Sequence, residues 1–185
     1  KGCMPAILSP VKQLYMKHSI GSIAEESDSR LAHFEAEVLT KVVDSFTPGI
    51  LIFVRSYFEF VRLRNRLDDQ NVDFVALSEY TERSKADRYR SLFANGTKRI
   101  LLYTERAHFY YRYRIKGIRD IVFYSLPDHA HFYSELLNMF DTSAIQQPTA
   151  TVLFSKYDSM QLSRVVGVHQ AKQMMASETD TFLMA

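Results

Sequence analysis

Short apolar runs alternate along the chain with longer segments in which apolar residues recur every three or four positions. The runs are typical of strands covered on both faces, and the longer segments are typical of helices that bury one face. The predicted strands span residues 50–54, 72–77, 98–104, 120–125, 150–155 and 181–184. The predicted helices span residues 29–45, 57–69, 82–94 and 158–175, with one more after Asp128 that carries Phe132, Leu136 and Phe140.

Capping and turn residues mark several of these boundaries. Asp28 and Asp128 each precede a helical pattern and are predicted to cap it, and Asn95-Gly96 is predicted to end a helix. Two segments do not show a clear helix or strand pattern. Residues 105–119 have no clean period and are predicted to be loop-like, and residues 1–28 form a poorly legible lead-in.

Repeated strand–helix–strand units imply parallel strands with helices on both faces of the sheet. The prediction is therefore a mostly parallel, three-layer α/β domain over residues 29–185, preceded by the lead-in of residues 1–28. Ligands of such sheets bind beyond the carboxyl ends of the strands. Polar or charged residues occupy these ends at positions 55–56, 78–79, 104–105, 125–126 and 155–156.

Composition fits a globular domain and excludes several other classes. Hydrophobic residues make up 46% of the 185 positions, while glycine (6) and proline (5) are too sparse for a collagenous or low-complexity chain. No apolar run is as long as a membrane span, so no membrane partner is expected. The single Cys3 excludes a disulfide framework and favours a reducing, intracellular setting. The chain begins without Met or a signal peptide, and we expect it to be a piece of a larger protein.

The charge is unevenly distributed. Residues 55–119 contain 15 Lys and Arg against 8 Asp and Glu, whereas the remaining residues contain 8 against 13. This asymmetry predicts an anionic partner for the middle of the chain, with nucleic acid as the first candidate. An ordinary solvated basic surface is the alternative that charge alone leaves open.

Familiar catalytic and cofactor motifs are absent from the sequence. It contains neither the phosphate-binding GxxxxGK[ST] loop nor GxGxxG, and no serine lies in a G-x-S-x-G turn. His129 and His131 lie two residues apart without a cysteine or an HExxH helix, which is a weak metal signal. We therefore predict no catalytic residue, no metal site and no cofactor in this chain.

The most unusual segment covers residues 104–117, just past a predicted strand end. It combines four cations with four aromatic residues: Arg106, Arg112, Arg114, Lys116, Phe109, Tyr110, Tyr111 and Tyr113. Guanidinium groups can contact phosphates, and flat rings can stack on unpaired bases. Two other interpretations stay open, namely aromatic packing on the sheet with arginines reaching solvent, and a protein–protein hot spot.

Several motifs resemble the second RecA-like domain of superfamily 2 helicases. The run GILIFVRSY at 49–57 resembles motif IV, FANG at 93–96 followed by RILLYTE at 99–105 resembles the approach to motif V, and IVFYSLP at 121–127 resembles the strand after it. This resemblance implies a RecA-like fold of the P-loop NTPase type.

A narrower resemblance is to the digestive organ expansion factor family, whose members are nucleolar proteins of the small-subunit processome. It rests on YTERAHF at 103–109, RYRIKGI at 112–118, FYSE at 132–135 and TVLFSKYD at 151–158. It implies a DEAD-box-like factor of ribosome biogenesis, acting in pre-rRNA processing and 40S assembly in the nucleolus. The implied partners are pre-rRNA or U3 snoRNA, other processome proteins, and an N-terminal RecA-like half of the same protein.

The departures from an active helicase are equally informative. Motif V usually reads T-D-x-x-x-R-G-x-D, and here Thr104 is kept while Glu105 replaces Asp. Motif VI normally supplies arginine fingers, each worth about 10³–10⁵ in rate, yet YSELLNMF at 133–140 contains no arginine. We therefore predict a non-enzymatic pseudo-helicase half. The alternatives are the C-terminal half of an active RNA-dependent ATPase and a purely protein-binding scaffold.

The candidate site residues follow from the resemblance and the basic segment together. The candidate RNA contacts are Arg55, Ser56, Thr104, Arg106, Arg112, Arg114 and Lys116. The candidate stacking or partner surface consists of Phe109, Tyr110, Tyr111 and Tyr113.

Overall fold

The computed structural model describes residues 1–143 and 145–185, and within them seven strands form one sheet. The strands are β1 (Lys12–Lys17), β2 (Ile50–Val54), β3 (Val75–Leu77), β4 (Ile100–Thr104), β5 (Asp120–Phe123), β6 (Thr149–Phe154) and β7 (Thr181–Met184). Their order across the sheet is β3-β4-β2-β5-β6-β1-β7, with β7 antiparallel to β1 and the other pairs parallel. The mostly parallel α/β prediction is confirmed.

The helices cover both faces of the sheet. They are α1 (Glu26–Phe34), α2 (Thr40–Asp44), α3 (Tyr57–Asp69), α4 (Arg83–Ala94), α5 (Glu105–Tyr111), α6 (His131–Leu137), α7 (Ser159–Val166) and α8 (Val168–Ala176). A π-helical turn at Glu35–Leu39 joins α1 to α2. Phe34, Val42 and Leu63 from α1, α2 and α3 pack on one face of the sheet. The other face packs against α4 to α8.

The clearest sequence patterns, those of β2, β4 and α3, are confirmed by the structure. Every residue of β2 and of β4 is buried, as expected for the two continuous apolar runs. Pro48 and Gly49 immediately precede β2, and Gly49 has a positive φ of 94° that a side chain would strain. The helix α3 occupies the predicted range and is capped by Ser56, whose Oγ accepts from the Glu59 N–H at 3.1 Å.

Several boundaries differ from the predictions. The lead-in of residues 1–28 contains β1, which lies inside the sheet between β6 and β7 and pairs in register from Lys12 with Thr149. The first helix begins at Glu26, so Asp28 lies in its first turn and does not cap it. Asp128 likewise does not cap α6, which starts at His131 after Ala130.

In two segments the structure differs from the predicted type of element. Residues 105–111 were expected to be loop-like but form α5, because the Thr104 hydroxyl caps the helix by accepting from the Ala107 N–H. The single helix expected over residues 158–175 is broken into α7 and α8 at Gly167, whose φ is 95°.

Candidate nucleic-acid interface

Two adjacent clefts open beyond the carboxyl ends of the parallel strands. The first, which we call the strand-end cleft, encloses about 500 Å³. Its lining residues follow β2, β3, β4 and β5: Arg55, Ser56, Tyr57, Glu79, Tyr80, Glu105, Arg106, Phe109, Tyr110, Asp128 and His129. The position is the one at which open parallel sheets bind their ligands.

Arg55 is held by protein groups on three sides of the strand-end cleft. Its Nη1 donates to the Leu126 carbonyl at 3.2 Å, its Nη2 donates to Asp158 at 3.3 Å, and its Nε lies 3.9 Å from Asp128. The side chain is 21% exposed. The guanidinium is therefore fixed in direction before any ligand arrives, and most of the side chain is shielded from solvent.

Thr104 lies below the surface of the same cleft. The residue is 1% exposed, caps α5, and donates from its hydroxyl to Glu79 at 3.3 Å. This position differs from the surface contact expected from motif V, because both polar functions of the hydroxyl are used inside the protein. The hydroxyl orients Glu79, whose other carboxylate oxygen lies 3.2 Å from the Arg106 Nε.

Glu105 is a buried carboxylate that shapes the far wall of the cleft. Its oxygens accept from the backbone N–H groups of Asp128 and His129, each at 2.9 Å, and Oε2 lies 2.7 Å from the His129 Nδ1. Glu105 therefore fixes the loop after β5, and its charge faces that loop rather than the open cleft. The cationic edge of the cleft is Arg106, which is 59% exposed.

The second cleft, which we call the arginine cleft, lies beside the first and shares Tyr110 with it. It encloses about 460 Å³ and is lined by Thr81, Arg83, Asp87, Arg90, Tyr110, Tyr111, Arg112, Tyr113 and Arg114. Among these described lining residues, four arginines face one aspartate. Arg90 pairs with Asp87, whereas Arg83 and Arg114 have no ion-pair partner within residues 1–143 and 145–185.

Arg112 closes α5 and forms one wall of the arginine cleft. Its backbone has a left-handed φ of 44°, which turns the chain out of the helix. Its guanidinium donates to Glu135 at 2.8 Å and lies 4.6 Å from the centre of the Phe132 ring. The second oxygen of Glu135 lies 2.7 Å from the Nε2 of His108, and burial lowers the pKa of that histidine. Arg112 therefore stabilises the fold through Glu135 and Phe132 and also lines the arginine cleft.

The two clefts collect most of the residues predicted from the sequence. Arg55, Ser56, Arg106, Phe109 and Tyr110 line the strand-end cleft, and Tyr110, Tyr111, Arg112, Tyr113 and Arg114 line the arginine cleft. Lys116 is exposed but lines neither cleft. Arg83 and Arg90 also line the arginine cleft, although the candidate site residues did not include them; their crowding with Lys85 and Arg88 on one predicted helix fits an exposed helix face as well.

A buried ion cluster behind the strand-end cleft was missed entirely. Arg30 of α1 is fully buried, and its guanidinium donates to Glu26, to Asp158 and to the carbonyls of Tyr124 and Leu153. Burial alone would raise the pKa of Asp158, but Arg30 and Arg55 hold it below its usual value. The serine and aspartate of SKYD at 155–158, which form a capping box at the end of β6, were an available signal for this aspartate.

The described residues contain no group of three or more His, Cys, Asp or Glu side chains placed to hold a metal ion. Over the same part of the chain, no helix combines the length and apolar character that crossing a bilayer needs.

Comparisons with known proteins place the chain in a family. Residues 3–184 match the family described as Utp25, C-terminal domain. Protein NUCLEOLAR FACTOR 1 of Arabidopsis thaliana is 43% identical over 182 residues, covering 98% of this chain and 24% of the relative. The U3 small nucleolar RNA-associated protein 25 homolog of Homo sapiens is 40% identical over 185 residues, again covering 98% of this chain and 24% of the relative. The chain thus spans about a quarter of the length of these relatives.

Solved structures that share the fold include DEAD-box proteins. The E. coli DEAD-box protein SrmB, in complex with regulator of ribonuclease activity A, superimposes with a TM-score of 0.68 at 16% identity, covering 85% of each chain. S. cerevisiae Dbp5 bound to RNA and ADP BeF3 gives a TM-score of 0.64 at 17% identity, covering 89% of this chain and 40% of that one. The C-terminal domain of Dbp5 alone gives 0.60. The fold is that of a RecA-like DEAD-box C-terminal domain.

Proposed function

Because the chain belongs to the Utp25 C-terminal domain family, we propose that it is a non-catalytic RNA-contacting domain of a ribosome-biogenesis factor. In this role it acts in pre-rRNA processing and 40S assembly within the small-subunit processome. The relatives carry names that refer to the nucleolus and to U3 small nucleolar RNA, which supports a nucleolar location and a pre-rRNA or snoRNA ligand. The narrower resemblance to the digestive organ expansion factor family stays a prediction.

The arginine cleft is the observation that carries the proposal. Four arginines line it against one aspartate among the described residues, and Arg83 and Arg114 stand there without an ion-pair partner in that part of the chain. Guanidinium groups of this kind bind phosphate oxygens in bidentate geometry. A polyanion that follows the cleft would replace solvent at these two arginines without breaking an existing pair.

A non-catalytic role is supported by the segment that would carry arginine fingers. Residues 133–140 contain no arginine, and α6 buries Phe132, Tyr133, Leu136 and Leu137 against the sheet. This helix therefore packs against the sheet and presents no arginine that could reach a nucleotide phosphate. Other processome proteins and an N-terminal RecA-like half of the same protein are the further partners that we propose, since this chain spans 24% of its relatives.

Titration of a fluorescent single-stranded RNA at several salt concentrations tests the RNA contact. We expect micromolar binding whose logarithm falls linearly with the logarithm of salt, by about 0.7 for each phosphate neutralised. The double variant Arg83→Gln/Arg114→Gln should lower the affinity and reduce that slope by about 1.4. The matched control is Arg164→Gln, because Arg164 is exposed on α7, outside both clefts.

Two results would overturn the proposal. Absence of RNA binding at low salt would remove the RNA contact, and the chain would then be a protein-binding scaffold. RNA-stimulated ATP hydrolysis by the full-length protein, lost on substitution of residues in this chain, would remove the non-catalytic assignment.

Cells that carry Arg83→Glu/Arg114→Glu in the full-length protein should accumulate unprocessed precursors of the small-subunit RNA.

A further inference from the structure

Five aromatic rings form a continuous row between the two clefts. We call it the aromatic row, and it runs in the order His129, Phe109, Tyr110, Tyr111 and Tyr113. The successive ring centroids are 5.1, 5.3, 6.4 and 5.2 Å apart. The row starts in the strand-end cleft and ends in the arginine cleft, where the Arg90 guanidinium lies 4.5 Å from the centre of the Tyr113 ring.

The three central rings are exposed for a reason that lies in the helix. Phe109, Tyr110 and Tyr111 are consecutive residues in the last turn of α5, so their side chains point about 100° apart. The helix already buries Ala107 and His108, and three consecutive rings cannot share that buried side. Their exposed fractions are 48, 55 and 51%. The sequence thus builds a contiguous apolar surface that folding does not cover, which is typical of an interaction site.

The rings of the row are held in place rather than free to reorient. The Arg106 Nη2 donates to the Tyr110 hydroxyl at 2.8 Å, and Arg106 is itself tied to Glu79. Tyr111 stacks on Tyr113 with an interplanar angle of 24°. A ligand that stacks on these rings therefore finds faces already oriented, which lowers the entropy cost of binding.

We infer that the aromatic row binds the unpaired bases of single-stranded RNA by stacking, while the arginine cleft at its end binds the phosphate backbone. The inference rests on the proposed function and adds to it the structural state of the RNA. Rings beside guanidinium groups are the combination that holds single strands without strong sequence preference. The charge of the arginine cleft favours a polyanion over a neutral apolar peptide at the same surface. A duplex hides its base faces and cannot use the row.

The experiment compares three labelled RNAs of equal length on the 185-residue chain by fluorescence anisotropy: an ordinary single strand, a single strand with abasic positions, and a duplex. The ordinary strand should bind about tenfold more tightly than the abasic strand at the same salt concentration. Tyr110→Leu/Tyr111→Leu should remove most of that difference and leave the salt slope unchanged. Phe46→Leu is the matched control, because Phe46 is an exposed ring before β2, at the opposite end of that strand from both clefts.

The outcomes separate the inference from the proposed function. Equal binding of ordinary and abasic strands, with the slope still reduced by Arg83→Gln/Arg114→Gln, would overturn stacking and keep the RNA contact. Binding of an acidic peptide such as poly-glutamate but of no RNA would overturn both and assign the arginine cleft to an acidic protein partner. If Tyr110→Leu/Tyr111→Leu failed to fold, the comparison of ordinary with abasic strands on the unchanged chain would still decide.

Discussion

The Nη2 of Arg30 donates to the Oδ2 of Asp158 at 2.6 Å, which joins the first helix to the turn after β6 although 128 positions separate the two residues. Asp158 also pairs with Arg55, so one carboxylate links a fully buried guanidinium to another at the rim of the strand-end cleft. The orientation of the Arg55 side chain thus depends on Arg30 of α1, which does not itself line the strand-end cleft.

Replacing Arg30 with Met should destabilise the fold strongly. The change leaves Asp158 buried with one cationic partner fewer, and breaking such a pair costs about 3–5 kcal/mol. Urea unfolding followed by circular dichroism measures the loss. Arg62→Met is the control, because Arg62 pairs with the exposed Asp28 and should leave the midpoint nearly unchanged. A small effect for Arg30→Met would show that Arg55 alone satisfies Asp158.

The contribution of His18 to stability should fall as the pH drops from about 6.5 to about 4. Burial, together with the nearby Arg30, lowers the pKa of His18 from 6.5 to about 4. In that interval the unfolded chain binds a proton that the folded chain does not, so unfolding is favoured as the pH decreases. Burial lowers the pKa of His33 and of His108 as well, which acts in the same direction.

Thermal melts at half-unit pH steps measure this dependence. His18→Gln should flatten part of the slope between pH 6.5 and 4, whereas substitution of the exposed His169 should leave it unchanged. An unchanged slope for His18→Gln would contradict the assignment of the dependence to His18.

Arg112 and Arg114 should separate in their effects on the fold. Arg112→Gln removes the ion pair with Glu135 and the contact with the Phe132 ring, so a loss of up to about 1 kcal/mol is expected for this half-exposed side chain. Arg114→Gln should leave the melting temperature unchanged, because its exposed side chain makes no ion pair in residues 1–143 and 145–185. Both should weaken RNA binding, and equal melts would contradict the structural role of Arg112.

Gly49→Ala should be more damaging than Gly96→Ala, although both residues have a positive φ. An alanine Cβ at position 49 would lie 2.4 Å from the Gly117 carbonyl oxygen, whereas at position 96 the nearest atom belongs to Pro48 at 3.6 Å. Backbone strain alone costs roughly 1–2 kcal/mol, which is the loss expected for Gly96→Ala. Chemical denaturation compares the two. Similar losses would show that the backbone around Gly49 moves aside.

The sequence predicted the elements whose burial is decided locally. The apolar run of β2 and the one-sided pattern of α3 need no knowledge of distant residues, and both lie where they were expected. By contrast, β1 reads Lys-Gln-Leu-Tyr-Met-Lys without a regular alternation of polar and apolar residues, and its place in the sheet depends on pairing with β6. Local periodicity carries no information about that pairing.

The candidate site was predictable in composition but not in arrangement. The run from Arg106 to Arg114 was identified as basic and aromatic, yet it lacks a helical period because α5 is short and leaves the aromatic residues 109–111 exposed. The buried position of Thr104 follows from its capping role, which depends on α5 existing. The Arg30–Asp158 pair joins remote segments, and neither segment on its own predicts a buried charge.

The position of β1 between β6 and β7 also sets the order in which the fold can be completed during synthesis. Residues 12–17 are made before the other strands of this sheet, whereas their two neighbours, residues 149–154 and 181–184, are made after the other strands. At about 5–20 residues per second, the first strand waits on the order of ten seconds with both of its edges unpaired. Since long-range pairing closes slowly, this interval exposes the nascent chain to aggregation and gives chaperones a period in which to act.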